Sequence, residues 1–254
     1  MKNKVIVSII PQLKDNYSYI VHSLINKSAI IIDPAESKPI IDFLIKNNLY
    51  LKGILVTHHH SDHTSGLESL LNFKKTSVYS PNKDIFGTNK IIKDNDIIDF
   101  DFLSLKIIST PGHTSDHVVF YNKQNSLLFS GDTLFHFGCG RVFEETYDVM
   151  QISLKKIEQL PDSTKVYCGH EYSIKNLSFL MNNFNDYHLL SDMKKRLLKQ
   201  IMGNGCSMPF LLGEEKQINP FLSQYSEYFR DYMNKNGINN KQFFKNMRDL
   251  RNNF

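Results

Sequence analysis

Apolar residues fall first in short runs and later at helical spacing, and that change divides the chain. Val5 to Ile10, Tyr17 to Ser23 and Ser28 to Asp33 are separated by the turn-formers Lys14-Asp15-Asn16 and Asn26-Lys27, which predicts sequential antiparallel strands. Lys38 to Asn47 places Ile40, Ile41, Leu44 and Ile45 on one helical face. Gly53-Ile54-Leu55-Val56 reads as a buried strand running straight into Thr57. A helix is expected from Ser65 to Leu71 with Ser65 as its cap, and a strand from Thr76 to Ser80. After a poorly patterned stretch from Asn82 to Asp96, strands are expected at Leu103 to Ser109, Val118 to Tyr121, Leu127 to Phe129 and Lys165 to Cys168, with a helix from Met150 to Leu160.

Beyond Tyr172 the strand pattern is expected to stop. Leu177 to Phe184, Leu189 to Met202 and Ser226 to Met233 read as helices, interrupted at Gly203, Gly205, Pro209 and Asn219-Pro220. The expected organisation is a mixed α/β domain over 1–172 and a helical domain over 173–254. With 41% hydrophobic and 22% charged residues over 254 positions, the chain can bury a substantial core and is neither disordered nor fibrous. No apolar run reaches membrane-spanning length. Met1 to Ile10 resembles the start of a signal peptide, but Pro11, Lys14 and Asp15 end it too soon. Cys139, Cys168 and Cys206 form no CxxC pair and are odd in number, which suits a reducing compartment. A cytoplasmic protein is expected. The net charge of +4 is mild and scattered, so neither nucleic acid nor membrane is called for, and a monomer is the expectation.

Candidate chemistry concentrates in Thr57-His58-His59-His60-Ser61-Asp62-His63, which follows a predicted strand. Imidazoles and a carboxylate gathered so densely are the donors of a metal site. Three further candidates also lie just past predicted strands, each preceded by glycine: Gly112-His113, Gly131-Asp132 and Gly169-His170. Loops at one rim of a sheet can converge, so seven distant residues are expected to form one site. His59 alternates away from His58 and His60 and is read as supporting them. His22, His117, His136 and His188 lack ligand context, and Cys139 and Cys168 are read as packing residues.

The order Thr57 to His63, His113, Asp132 and His170 resembles the metallo-β-lactamase superfamily, whose αβ/βα sandwich carries two metals. Phe129 to Phe135, Gly138-Cys139-Gly140-Arg141, Val166 to Tyr172, Leu212-Gly213-Glu214-Glu215 and Asn219-Pro220-Phe221-Leu222 are similar to the glyoxalase II, or hydroxyacylglutathione hydrolase, family over almost the whole chain. The resemblance implies that His58, His60 and His113 hold one divalent metal, that Asp62, His63 and His170 hold the other, and that Asp132 bridges them. The all-N/O donor set suits zinc first, with iron or manganese also compatible. Asp62 and Asp132 then serve catalysis by supporting a water acidified between two cations, which attacks a thioester carbonyl.

The substrate so implied is S-2-hydroxyacylglutathione, typically S-D-lactoylglutathione, with glyoxalase I as the upstream enzyme. Arg141, Phe143, Tyr172, Arg248 and Arg251 occupy the positions that grip glutathione. Guanidinium groups suit its carboxylates. Three positions depart from the family pattern: Phe143 lacks the phenol found in some members, Glu145 stands where glycine is common, and Ser223 where arginine often follows. The other classes weighed are an exported lactamase, a nuclease, a one-iron dioxygenase and a metal-binding protein without catalysis.

Overall fold

The computed structural model describes residues 4–222 and 226–254, so Ser223 and the first three residues of the stretch Met1 to Ile10 lie outside it. The chain divides into two compact units, one comprising 1–109 with 116–131, the other 110–115 with 132–254.

In the first unit, β1 (Val5–Gln12), β2 (Asn16–Ser23) and β3 (Ser28–Ile32) form an antiparallel meander. The helix α1 (Ser37–Lys46) returns the chain so that β4 (Tyr50–Leu55) lies parallel to β3. After α2 (Ser61–Thr64) and α3 (Leu67–Phe73), β5 (Ser77–Ser80) and β6 (Lys90–Ile91) extend the sheet in parallel. Ile20, Ala29, Ile31, Ile54 and Val78 meet Ile40, Leu44, Leu67 and Leu70 of α1 and α3 in one fully buried cluster. The alternate face carries Tyr19, whose ring lies 5.5 Å from Phe129 of a second, antiparallel run. That run is β7 (Ile97–Asp99), β8 (Ser104–Ser109), β9 (Val118–Asn122) and β10 (Leu127–Gly131). Period-two burial on both faces explains the nearly continuous apolar strands.

Expectation and structure differ at three points here, the first being β7, which precedes the strand expected from Leu103. Ser65 does not cap a helix: its hydroxyl donates back to the Ser61 carbonyl, and α3 starts after Gly66. The stretch from Asn82 to Asp96 holds β6, whose two residues are too few and too exposed to leave a period.

The second unit carries the hairpin β11 (Leu134–Phe135) and β12 (Gly138–Cys139), then α4 (Tyr147–Glu158), β13 (Lys165–Cys168), α5 (Ser173–Asn183) and α6 (Leu189–Asn204). Strands do not stop at Tyr172, because β14 (Phe210–Leu211) pairs with β13 across some forty residues that include α5 and α6. Next come α7 (Leu212–Ile218), a 3₁₀ turn (Pro220–Leu222), α8 (Glu227–Asn236) and α9 (Asn240–Asn252). Ser226 and Asn239 cap α8 and α9 with side-chain oxygens. The GEE and NPFL motifs serve the hairpin. Glu215, fully buried, accepts from His136 Nδ1 at 2.7 Å and from the Phe137 amide at 2.8 Å, while Asn219 donates to the Gly138 carbonyl at 3.0 Å.

Candidate metal centre

In the first unit, the parallel pairing of β3 and β4 sets Ile32 beside Leu55, so the residues that follow each strand emerge as neighbours. Asp33 uses this position. Its carboxylate accepts from the Thr57 amide (2.8 Å) and the Thr57 hydroxyl (2.7 Å), and lies 3.0 Å from His63 Nδ1. The Thr57 hydroxyl gives its only proton to Asp33, so toward His58 Nδ1, 2.9 Å away, it can only accept. Both His58 and His63 are therefore protonated at Nδ1, which leaves each Nε2 with a lone pair.

The short helix α2 then projects Asp62 and His63 from one turn. Asp62 Oδ2 accepts from Asn16 Nδ2 at 2.9 Å and stands 3.8 Å from His63 Nε2. His58 Nε2 lies 3.1 Å from His60 Nδ1. His59 turns elsewhere, its Nδ1 lying 3.0 Å from both oxygens of Asp116, which also accepts from Asn82. His117, fully buried, stacks on His58 at 4.8 Å. Gly131 sits at φ +46°, and a Cβ there would come 2.7 Å from Thr57 Oγ1 and 2.8 Å from His117 Nε2. Only glycine fits.

In the second unit, Asp132 Oδ2 lies 3.4 Å from His113 Nε2 and 3.3 Å from His170 Nε2. His113 donates from Nδ1 to the Arg141 carbonyl (2.8 Å), so in the neutral ring Nε2 is the lone-pair nitrogen. All three residues are 5% exposed, which excludes bulk solvent from most of their surface. A Cβ at Gly140 would stand 1.9 Å from the Asp132 carbonyl oxygen, so the GCG turn can pass Asp132 only with glycine there. His170 stacks on Tyr172, with ring centroids 4.8 Å apart and planes 5° apart, and Phe135 meets both edge-on.

These halves fit divalent cations by the chemistry of their donors. Each unit sets a carboxylate oxygen beside imidazole nitrogens, Asp62 beside His63 in one and Asp132 beside His113 and His170 in the other, which is a donor set that divalent cations accept. The donors are nitrogen and oxygen only. Cys139 and Cys168 are buried, and burial first of all pushes both thiols up, which keeps them protonated packing residues.

The candidate substrate residues of this unit differ in their freedom. Arg141 is exposed; its Nε donates to Asn252 Oδ1 (3.3 Å) and its Nη2 to the Asn252 carbonyl (3.0 Å). Arg248 is 4% exposed and gives Nη1 to the Cys139 carbonyl (2.8 Å), gives Nε to Asn252 (3.1 Å), and lies over the Phe221 ring. It clamps α9 to the GCG turn. Half-buried Arg251 donates from Nε to Asn176 Oδ1 at 3.0 Å, and burial first, then the nearby Arg248 charge, lowers its pKa. Phe143 is 59% exposed, edge-on to His113 and under the Arg141 guanidinium. Tyr147 donates to Asp249, and burial followed by that carboxylate raises the phenol, keeping its proton in place.

Asp33, Asp116, Asn176 and Asn252 are absent from the motif reading, and Glu215 enters it only within the Leu212 to Glu215 motif, without a role. For Asp33 a signal existed, since an acid ending the apolar run Ile30-Ile31-Ile32 sits at the rim of a buried strand. The asparagines carried none.

The chain resembles known proteins along its length. Residues 13–170 match the metallo-β-lactamase superfamily, and residues 171–254 match the hydroxyacylglutathione hydrolase C-terminus. The hydroxyacylglutathione hydrolase of Pelagibacter ubique is 38% identical over 98% of this chain and 99% of its own. That of Wigglesworthia glossinidia brevipalpis is 39% identical over 95% and 96%. Among solved structures, ETHE1 from Myxococcus xanthus superposes with a TM-score of 0.66 at 22% identity, covering 94% of this chain and 95% of that one, a likeness of fold. The chain thus has the metallo-β-lactamase fold with a C-terminal helical segment, and it belongs to the hydroxyacylglutathione hydrolase family of the metallo-β-lactamase superfamily.

Proposed function

We propose that this protein is a binuclear thioester hydrolase that converts S-2-hydroxyacylglutathione, S-D-lactoylglutathione above all, to glutathione and the 2-hydroxy acid, the second step of methylglyoxal detoxification. The observation that carries the reading is Asp132 Oδ2, set between the Nε2 atoms of His113 and His170 in the unit that also holds Arg141, Arg248 and Arg251. Relatives bearing that name over nearly the whole chain support it. In this reading His58, His60 and His113 hold one cation, Asp62, His63 and His170 the other, and Asp132 reaches both; zinc is favoured, with iron or manganese compatible. The domains run 1–172 and 173–254, and the protein works as a cytoplasmic monomer.

When bound, two divalent cations supply acidification of a water and polarisation of a carbonyl. The protein's own groups do the rest. Asp33, through Thr57 and His63, holds two imidazoles in the tautomer that presents Nε2. Asp62 and Asp132 supply the anionic charge that offsets the cations. Arg141, Arg251 and Tyr172 fix the glutathione portion, while the buried Arg248 holds the turn that positions Arg141. The leaving thiolate, of pKa about 8.5, requires no general acid. Chelation followed by reconstitution with zinc, iron or manganese tests this: activity toward S-D-lactoylglutathione is expected to vanish and return at about two ions per chain. Full activity in metal-free protein would refute it.

A further inference from the structure

Arg141, Arg248 and Arg251 lie close enough to influence one another, yet among the described residues none is paired with a carboxylate. What holds them is neutral. Asn252 Oδ1 accepts from Nε of both Arg141 (3.3 Å) and Arg248 (3.1 Å), the Asn252 carbonyl accepts from Arg141 Nη2, and Asn176 Oδ1 accepts from Arg251. The Asn252 carbonyl is also an open end of α9, so Arg141 satisfies a group the helix leaves without an internal partner.

The orientation of the Asn252 amide is itself determined. Tyr147 gives its hydroxyl proton to Asp249 Oδ1 at 2.7 Å, so toward Asn252 Nδ2, 3.2 Å away, that oxygen can only accept. The amide nitrogen must face Tyr147, and Oδ1 must face the two guanidiniums. Asp249 thus acts at one remove, through a hydroxyl and an amide, and its charge is not spent directly on the arginines.

We propose that Asn252, oriented by Tyr147 and Asp249, is a positioning residue that aligns Arg141, both directly and through the Arg248 clamp, while leaving the positive charge of the cluster available to the two carboxylates of a glutathione thioester, with Asn176 doing the same for Arg251. The inference rests on the substrate reading above. An aspartate at 252 would accept the same two Nε–H bonds and would hold the arginines at least as firmly. It would also place a negative charge against them, neutralising the attraction for substrate carboxylates. The amide is therefore the chemistry of a receptor rather than of a structural ion pair.

The test is N252D, measured by kcat and KM for S-D-lactoylglutathione, by titration calorimetry with S-methylglutathione, and by turnover of a simple thioester lacking the glutathione carboxylates. KM and the dissociation constant are expected to rise about tenfold, with kcat, thermal midpoint and simple-thioester turnover nearly unchanged. A purely structural Asn252 predicts no change in KM, since the two Nε–H bonds to Oδ1 persist and only the bond to Tyr147 is lost; an unchanged KM overturns the proposal, as does an equal loss with the simple thioester. Should N252D fail to fold, Y147F keeps the ring but frees the amide to rotate, and is expected to raise KM about threefold at constant kcat. An unchanged KM there likewise overturns it. Wild-type protein with no preference for the glutathione thioester refutes the substrate reading, and the inference with it. A wild-type preference that both variants retain refutes the inference alone.

Discussion

The histidines of the first unit and the arginines of the second are positioned by the same device with opposite electrostatic outcomes. In each, a carboxylate takes the proton of a hydroxyl, and the hydroxyl oxygen must then accept from the next group: Asp33 to Thr57 to His58 in one, Asp249 to Tyr147 to Asn252 in the other. Asp33 also touches His63 directly, an anion against an imidazole that in the proposed role presents a lone pair to a cation. Arg141, Arg248 and Arg251 meet amide and carbonyl oxygens but, among the described residues, no carboxylate, and in the proposed role an anion there would cancel the charge their ligand needs. The sign of the holder follows the sign of what is to be held.

The most severe break in this scheme is D132A, which removes the carboxylate shared by His113 and His170. Turnover is expected to fall more than about a thousandfold, with metal content lost in elemental analysis; near-normal activity would contradict the bridging assignment. D33N keeps the shape but loses the anion, and metal affinity by chelator competition is expected to weaken about ten- to a hundredfold. R251A is expected to raise KM about tenfold with little change in kcat. An unchanged KM would return Arg251 to an ordinary helix face.

The smallest effect concerns a carboxylate in neither network. Burial pushes Glu158 up to about 7 from its ordinary 4.5, against the pull of Lys155 and Lys216. Its folded value lies above the unfolded one, so its contribution to stability is complete below the lower value and is lost as pH rises to about 7. E158Q is expected to flatten that slope and to be more stable than the native chain near pH 8 by on the order of 2 kcal/mol, after allowance for solvent screening. Denaturant midpoints near pH 5 and pH 8 check it; parallel pH profiles for the two proteins would refute it.

The two networks were unequally legible in the sequence. His58, His60, Asp62 and His63 lie within six positions, so a local pattern exposes them, and Gly131 with Asp132 announces itself by the constraint on its glycine. The early strands were legible because both faces of the sheet are buried and the apolar runs are unbroken. β14 escaped notice because two residues carry no period, and their partner strand is distant in sequence. Asn252 and Asn176 escaped for a different reason. An asparagine is ordinary anywhere on a helix, and what makes these two informative is the arginine that each meets across the fold. Arg248 was legible as a basic position near the C-terminus, but its burial beneath the GCG turn was not.

The most direct measurement is hydrolysis of S-D-lactoylglutathione by the metal-loaded protein beside a simple thioester without the glutathione carboxylates. The account predicts turnover of the glutathione thioester with a kcat/KM at least about a hundredfold higher, the reach of several charge-assisted contacts. Equal turnover of the two substrates, or of neither at full metal loading, would contradict it.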